Sequence, residues 1–82
     1  MTNNEIMKKL RIALDLQERD MFEIFALAEY PINKSELAAI FRKKGHKNYR
    51  PCSNEVLEKF LDGFIIRNRG KKIEGEGEEG AP

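Results

Sequence analysis

Four times along this chain a short polar side chain stands before an apolar run of helical period, and that repetition limits the fold class more than any other feature. Thr2-Asn3-Asn4-Glu5 has the spacing of a capping box, with the Thr2 hydroxyl accepting from the Glu5 backbone N–H and the Glu5 carboxylate accepting from the N–H of Thr2. Ile6, Leu10, Ala13 and Leu14 then recur on one predicted inner face, with Met7 beside them and Lys8, Lys9 and Arg11 on the wetter sides. Asp15-Leu16-Gln17-Glu18 repeats the pattern and predicts the start of a second helix. Its Met21, Phe22, Ile24, Phe25, Leu27 and Ala28 are apolar over more than half the circumference, which predicts a central position.

Tyr30-Pro31 ends that helix, because a proline ring disfavours the α conformation at the residue before it and has no N–H for the ladder. Asn33 with Glu36 opens a third helix, Ile32 packs on Leu37 as a hydrophobic staple, and Leu37, Ile40 and Phe41 form the inner stripe. Ser53 caps a fourth, with Cys52 and Leu57 as its staple. There Val56, Leu57, Phe60, Leu61, Phe64 and Ile65 make a double apolar seam that Gly63 interrupts, and Gly70 is the expected C-terminal stop. No segment alternates as a strand does, so the expectation is an all-α, small four-helix bundle with a basic loop between helices three and four.

Eighty-two residues hold one such domain, and its core must be small, since a chain of this size buries only roughly 60% of its unfolded surface. A single cysteine rules out an internal disulfide as reinforcement. The opening MTNNEIMKKL lacks the apolar run of a signal peptide, and no stretch approaches the about 18 apolar residues of a membrane helix, so the expected location is cytoplasmic, without membrane contact. Four of the fourteen acidic residues fall in the terminal run EGEGEEGAP. Residues 74–82 have no bulky apolar side chain to offset ordering entropy and are expected to be a disordered acidic tail. The helical domain, residues 1–73, then carries fifteen Lys and Arg against ten Asp and Glu, a balance of +5.

That positive charge gathers in Arg42, Lys43, Lys44, His46, Lys47, Tyr49 and Arg50, with Arg67, Arg69, Lys71 and Lys72 as possible neighbours. Cations of this density neutralise phosphates, and Tyr49 offers a ring for stacking on a base. Against this, basic residues past a helix C-terminus complement the macrodipole, and Lys34-Ser35-Glu36 is mixed in charge where a recognition helix would enter a groove. His46 and Cys52 give one chain two soft metal ligands where structural zinc needs four, so no metal site is expected unless two chains share one. Cys52 precedes a helix, where a thiol pKa can fall, but as a staple residue it is expected to be packed and inert. There is no Gly-rich phosphate loop, nucleophile elbow or second histidine, so no catalytic residues, cofactor or small-molecule ligand are expected.

Several separated blocks carry a family resemblance together: Asn3-Asn4 leading into Leu10-Arg11-Ile12-Ala13-Leu14, Glu23-Ile24-Phe25-Ala26-Leu27-Ala28, His46-Lys47-Asn48-Tyr49-Arg50 before Cys52, and Phe60-Leu61-Asp62-Gly63. Over about residues 2 to 70 the chain resembles the YehS-like family of uncharacterised bacterial proteins. The resemblance implies one copy of a unit that the family usually carries as a tandem pair. Met21, Phe22, Phe25, Phe60, Phe64 and Ile66 also exceed what one thin core needs. Together these lead to a small helical interaction module that forms a homodimer, with nucleic-acid binding through residues 42–50 as the alternative.

Overall fold

A computed structural model describes residues 1–72 of the protein. It holds four helices in chain order, α1 (Asn3–Ala13), α2 (Glu18–Leu27), α3 (Lys34–Phe41) and α4 (Asn54–Lys72), and no strand among the described residues. The all-α four-helix bundle is therefore the fold. Its main interface is α2 on α4, with α1 lying across both α3 and α4. The tail expected over residues 74–82 lies outside the described residues.

The caps at Thr2, Asn33 and Ser53 form as the spacing requires. Thr2 Oγ1 accepts from Glu5 N–H at 3.2 Å and Glu5 Oε1 from Thr2 N–H at 2.8 Å. Asn33 Oδ1 accepts from Glu36 N–H at 2.7 Å and Glu36 Oε1 from Asn33 N–H at 3.1 Å, while Ser53 Oγ accepts from Val56 N–H at 3.1 Å. The second helix departs from expectation. Its N-cap is Gln17, whose N–H donates to Asp20 Oδ2 at 2.7 Å, and Asp15 belongs instead to the end of α1. Asp15 sits at φ 52°, with its N–H on the Ile12 carbonyl at 3.2 Å and Leu16 N–H on the Arg11 carbonyl at 3.0 Å. That is a Schellman ending, in which aspartate takes the left-handed position that glycine usually fills. Helix α2 ends the same way through Glu29 at φ 57°, so the chain has already left the helix before Pro31. Gly70 does not stop α4, which continues to Lys72.

Met7, Met21, Ile24, Phe25 and Phe60 are fully enclosed, and Leu16, Ile32, Leu37, Ile40 and Cys52 complete the core. Both partners of the Ile32–Leu37 staple lie in that cluster, and Leu57 packs against the core to which the buried Cys52 belongs. Tyr30, Phe25, Phe60 and Phe64 form a chain of rings with centroids 6.0, 5.9 and 6.3 Å apart. Two faces are phased differently from the expected ones. In α1 the inner positions are Asn4 and Met7, with Ile6, Leu10 and Arg11 half-buried and Ala13 and Leu14 exposed. Arg11 is drawn inward because its guanidinium lies 5.0 Å over the Phe41 ring and its Nε–H donates to the Leu16 carbonyl at 3.2 Å. In α4 the double seam is covered along Val56, Phe60 and Phe64 and at Leu57, with Phe60 buried and the other three half-buried, while Leu61 and Ile65 face out.

Hydrogen bonds from backbone N–H groups, of Thr2 to Glu5 and of Gln17 to Asp20, hold both carboxyls below their ordinary pKa, with Arg67 adding to the effect on Asp20. A folded pKa lowered below the unfolded one contributes stability above the unfolded pKa that is lost as pH falls through the folded value. Acidification below about pH 4 should accordingly lower the thermal midpoint, and Asp20→Asn should flatten that decline. Thermal unfolding followed by circular dichroism between pH 3 and pH 7, a range of about four units spanning the carboxylate pKa values, measures both.

Candidate functional site

The basic loop begins where α3 runs out at Phe41: Arg42 leaves the helix at ψ 159° and Gly45 turns the chain at φ 100°. It is built as a fixed element. His46 N–H donates to the Lys43 carbonyl and Tyr49 N–H to the His46 carbonyl, each at 2.9 Å, and His46 Nδ1 accepts from Asn48 N–H at 3.0 Å. Arg50 N–H closes the loop onto the Ala39 carbonyl of α3 at 3.1 Å. Arg42, Lys43, Lys44, His46, Lys47 and Arg50 are exposed and Tyr49 is half-buried. From Leu37 through Asn54 the chain has no acidic residue. Ion pairs among the described residues are made instead by Arg67, at 2.9 Å from Asp20 and 3.3 Å from Glu23.

The anchor of this loop is a pair of asparagines on α1. Asn4 is buried; its Nδ2 donates to the carbonyls of Ile40 and Arg50, both at 2.9 Å, and its Oδ1 accepts from Cys52 N–H at 2.8 Å. Asn3 Nδ2 donates to the Cys52 carbonyl at 3.1 Å and to Asn54 Oδ1 at 2.8 Å. One helix start thus holds the end of α3, both ends of the Arg50–Cys52 segment and the start of α4. Asn4→Ala strands two carbonyls and an N–H, and it should cost about 2 kcal/mol, with hydrogen exchange accelerating first over residues 42–52. Exchange measured by mass spectrometry reads both the size and the place of the effect.

The structure separates several groups that the sequence suggested together. Arg67 and Arg69 are not neighbours of the loop, for the loop feeds the N-terminus of α4 and they lie roughly 20 Å of helix further along. Arg67 is also committed to Asp20 and Glu23 of α2. Cys52 is buried, burial pushes its thiol pKa up, and its Sγ donates to the Ser53 carbonyl at 3.6 Å, an environment for an inert thiol. No three His, Cys, Asp or Glu side chains converge as a metal site among the described residues. No helix among them is long and apolar enough to cross a membrane.

A second surface lies where the end of α2 meets the outer side of α4. Leu27, Ala28, Glu29, Asp62, Ile65 and Ile66 line an open, shallow groove there. Leu27 is 38% exposed, Ile65 53% and Ile66 44%, and Leu61, one turn before Ile65, is 40% exposed. The apolar surplus read from the sequence is thus partly relocated. Met21, Phe25 and Phe60 are spent in the core, Phe22 and Phe64 pack against it, and of that set Ile66 alone stays largely exposed.

These features define a small all-α bundle with an anchored cationic loop at one end and an apolar face along its longest helix. The chain belongs to the family described as "Protein of unknown function (DUF1456)", whose model matches residues 3–70. It is similar to the "Uncharacterized protein YehS" of Escherichia coli (strain K12), at 37% identity over 70 residues, a match that takes in 85% of this chain and 45% of that protein. The chain therefore spans less than half the length of the curated relative it matches. No solved structure matches it.

Proposed function

We propose that the protein is a small helical interaction module that self-associates through the outer face of α2 and α4. The observation that carries this reading is the groove lined by Leu27, Ile65 and Ile66, with Leu61 one turn before Ile65, four large aliphatic side chains each at least 38% exposed. Isolated exposed aliphatics are ordinary, whereas a contiguous group beside a groove marks a contact surface. A core this thin also gains from a partner, because subunit association stabilises the folded state by mass action. The length of the relative supports the same reading, since more than half of that protein lies beyond the matched part and leaves room for a second unit. Sedimentation equilibrium of the full chain should give a mass approaching twice the 9.5 kDa of one chain as concentration rises. A single-chain mass up to about 1 mM, where even a weak pair would register, overturns the reading.

The loop supports a second reading, binding of nucleic acid. Its favouring observation is that five Lys and Arg side chains and His46 are exposed on a segment free of acids, and that buried Asn4 fixes its backbone in advance. Preorganisation lowers the ordering cost of binding, and each phosphate contact adds about one unit to the slope of log affinity against log salt. Lys43→Glu with Lys47→Glu should flatten that slope by roughly two units while leaving the fold intact, because both side chains are exposed. Titration of DNA and RNA at several salt concentrations checks it, and absence of salt-dependent binding near about 10 μM removes this reading.

A further inference from the structure

The face that carries the self-association reading also has a charge order. Along the outer side of α4 stand Asp62, Ile65, Ile66 and Arg69, all exposed. Asp62 and Arg69 are two helical turns apart, roughly 10.5 Å, and therefore lie on one line along the helix, with Ile65 and Ile66 on either side of it halfway between. Consider a two-fold axis perpendicular to α4 that passes between Ile65 and Ile66. It generates a second α4 running antiparallel, in which position 62 of one copy faces position 69 of the other and position 65 faces position 66.

We infer that a second copy of this chain docks on α4 in that register, with Asp62 of each copy paired to Arg69 of the other around a centre of four isoleucines. The inference rests on the self-association reading and deepens it by fixing direction and register. Two physical arguments and one observation select this arrangement. A parallel pair would set Asp62 beside Asp62 and Arg69 beside Arg69, two like-charge contacts in place of two opposite ones. A two-fold contact is self-complementary and closes on a dimer, whereas a head-to-tail contact would continue into a filament. Leu27 and Ala28 at the end of α2 flank Ile65 and Ile66 in the groove, so the apolar centre extends beyond one helix. The aliphatic side chains provide the attraction, and the charges exclude the alternative registers, as polar residues do at helix pairs elsewhere.

The test uses the full chain and its variants in sedimentation equilibrium, with circular dichroism as the check on folding. Ile65→Glu should weaken the dimer at least about tenfold and leave the helical signal unchanged, since Ile65 is 53% exposed. Asp62→Arg and Arg69→Asp should each weaken it similarly, the first by opposing two arginines and the second by opposing two aspartates. Mixing those two variants restores opposite charges at both contacts, so the mixture should associate about as tightly as the unmodified protein. A dimer that ignores all three substitutions overturns this register while leaving self-association through another face standing. Single variants that weaken the dimer without recovery on mixing also overturn it. A monomer at every concentration removes both readings together.

Discussion

Gly63→Ala should destabilise the fold by about 3 kcal/mol, the upper part of the range for overpacked sites. Helix propensity alone predicts the opposite sign, because alanine is favoured over glycine inside a helix by about 1 kcal/mol. The structure decides between them at one contact. A Cβ on Gly63 would stand 1.8 Å from the Ile24 carbonyl oxygen, 2.7 Å from its carbon and 3.0 Å from Ile24 Cγ2. That oxygen is backbone in the last turns of α2 and already accepts from Ala28 N–H at 3.3 Å, so it cannot swing aside as a side chain would. The helices must separate instead, which loosens the contact between the Phe25 ring of α2 and the Phe60 ring of α4, 5.9 Å apart. Urea unfolding of the two proteins gives the difference in midpoint and slope. A raised midpoint would mean that α2 and α4 do not cross this closely in solution.

The same glycine shows where the sequence is legible and where it is not. A cap needs only local information, and three of the four caps stand at the positions read from spacing, at Thr2, Asn33 and Ser53. The fourth misleads because aspartate suits two backbone roles. Asp15 has the side chain of an N-cap and also tolerates the left-handed turn, and the Schellman hydrogen bonds at the end of α1 take it for the second. Gly63 reads as a weak point in a helix because the residue that excludes a side chain there, Ile24, is 39 positions away. Helix α4 shows the converse. Its double seam is accurate as periodicity, but which half meets α2 is fixed by the Gly63 crossing, and Leu61 and Ile65 are left outside.

The candidate site divides in the same way. Its charge is visible in the sequence, since seven of the nine residues from Arg42 to Arg50 are the named candidates. Its rigidity is not visible. An asparagine in the first turn of a helix is unremarkable there, and nothing in local spacing indicates that Asn4 is buried and reaches carbonyls 36 and 46 positions ahead. The available signal is the Asn3-Asn4 pair itself, one of the blocks on which the family resemblance is read from the sequence. Arg67 errs in the other direction: composition pools it with the loop, and only the pairing of α2 with α4 shows it bound to Asp20 and Glu23.

Phe60→Ala should cost roughly 3 to 5 kcal/mol, the range for removing a large aromatic from an enclosed core. Phe60 is fully buried at the centre of the bundle, tilted against Phe25 at 5.9 Å and stacked on Phe64 at 6.3 Å, so its loss empties the one position that joins the rings of α2 to those of α4. The surrounding side chains cannot collapse into the space easily, because Gly63 already holds the two helices in backbone contact one turn further along. Domains have about 5 to 15 kcal/mol of stability in total, and a small core sits low in that range, so the variant should be largely unfolded at 37 °C. Phe60→Leu keeps most of the volume and should lose only about 1.5 kcal/mol or less, which separates a packing effect from a general intolerance of substitution. Thermal unfolding of both at two protein concentrations completes the measurement. If folding is linked to pairing through α4, the midpoint of Phe60→Ala rises with concentration, since a partner that binds only the folded chain draws the equilibrium back toward it. An unchanged midpoint in Phe60→Ala relative to the unmodified protein would place the ring at the surface and overturn the phasing of α4 on which both the core and the outer face depend.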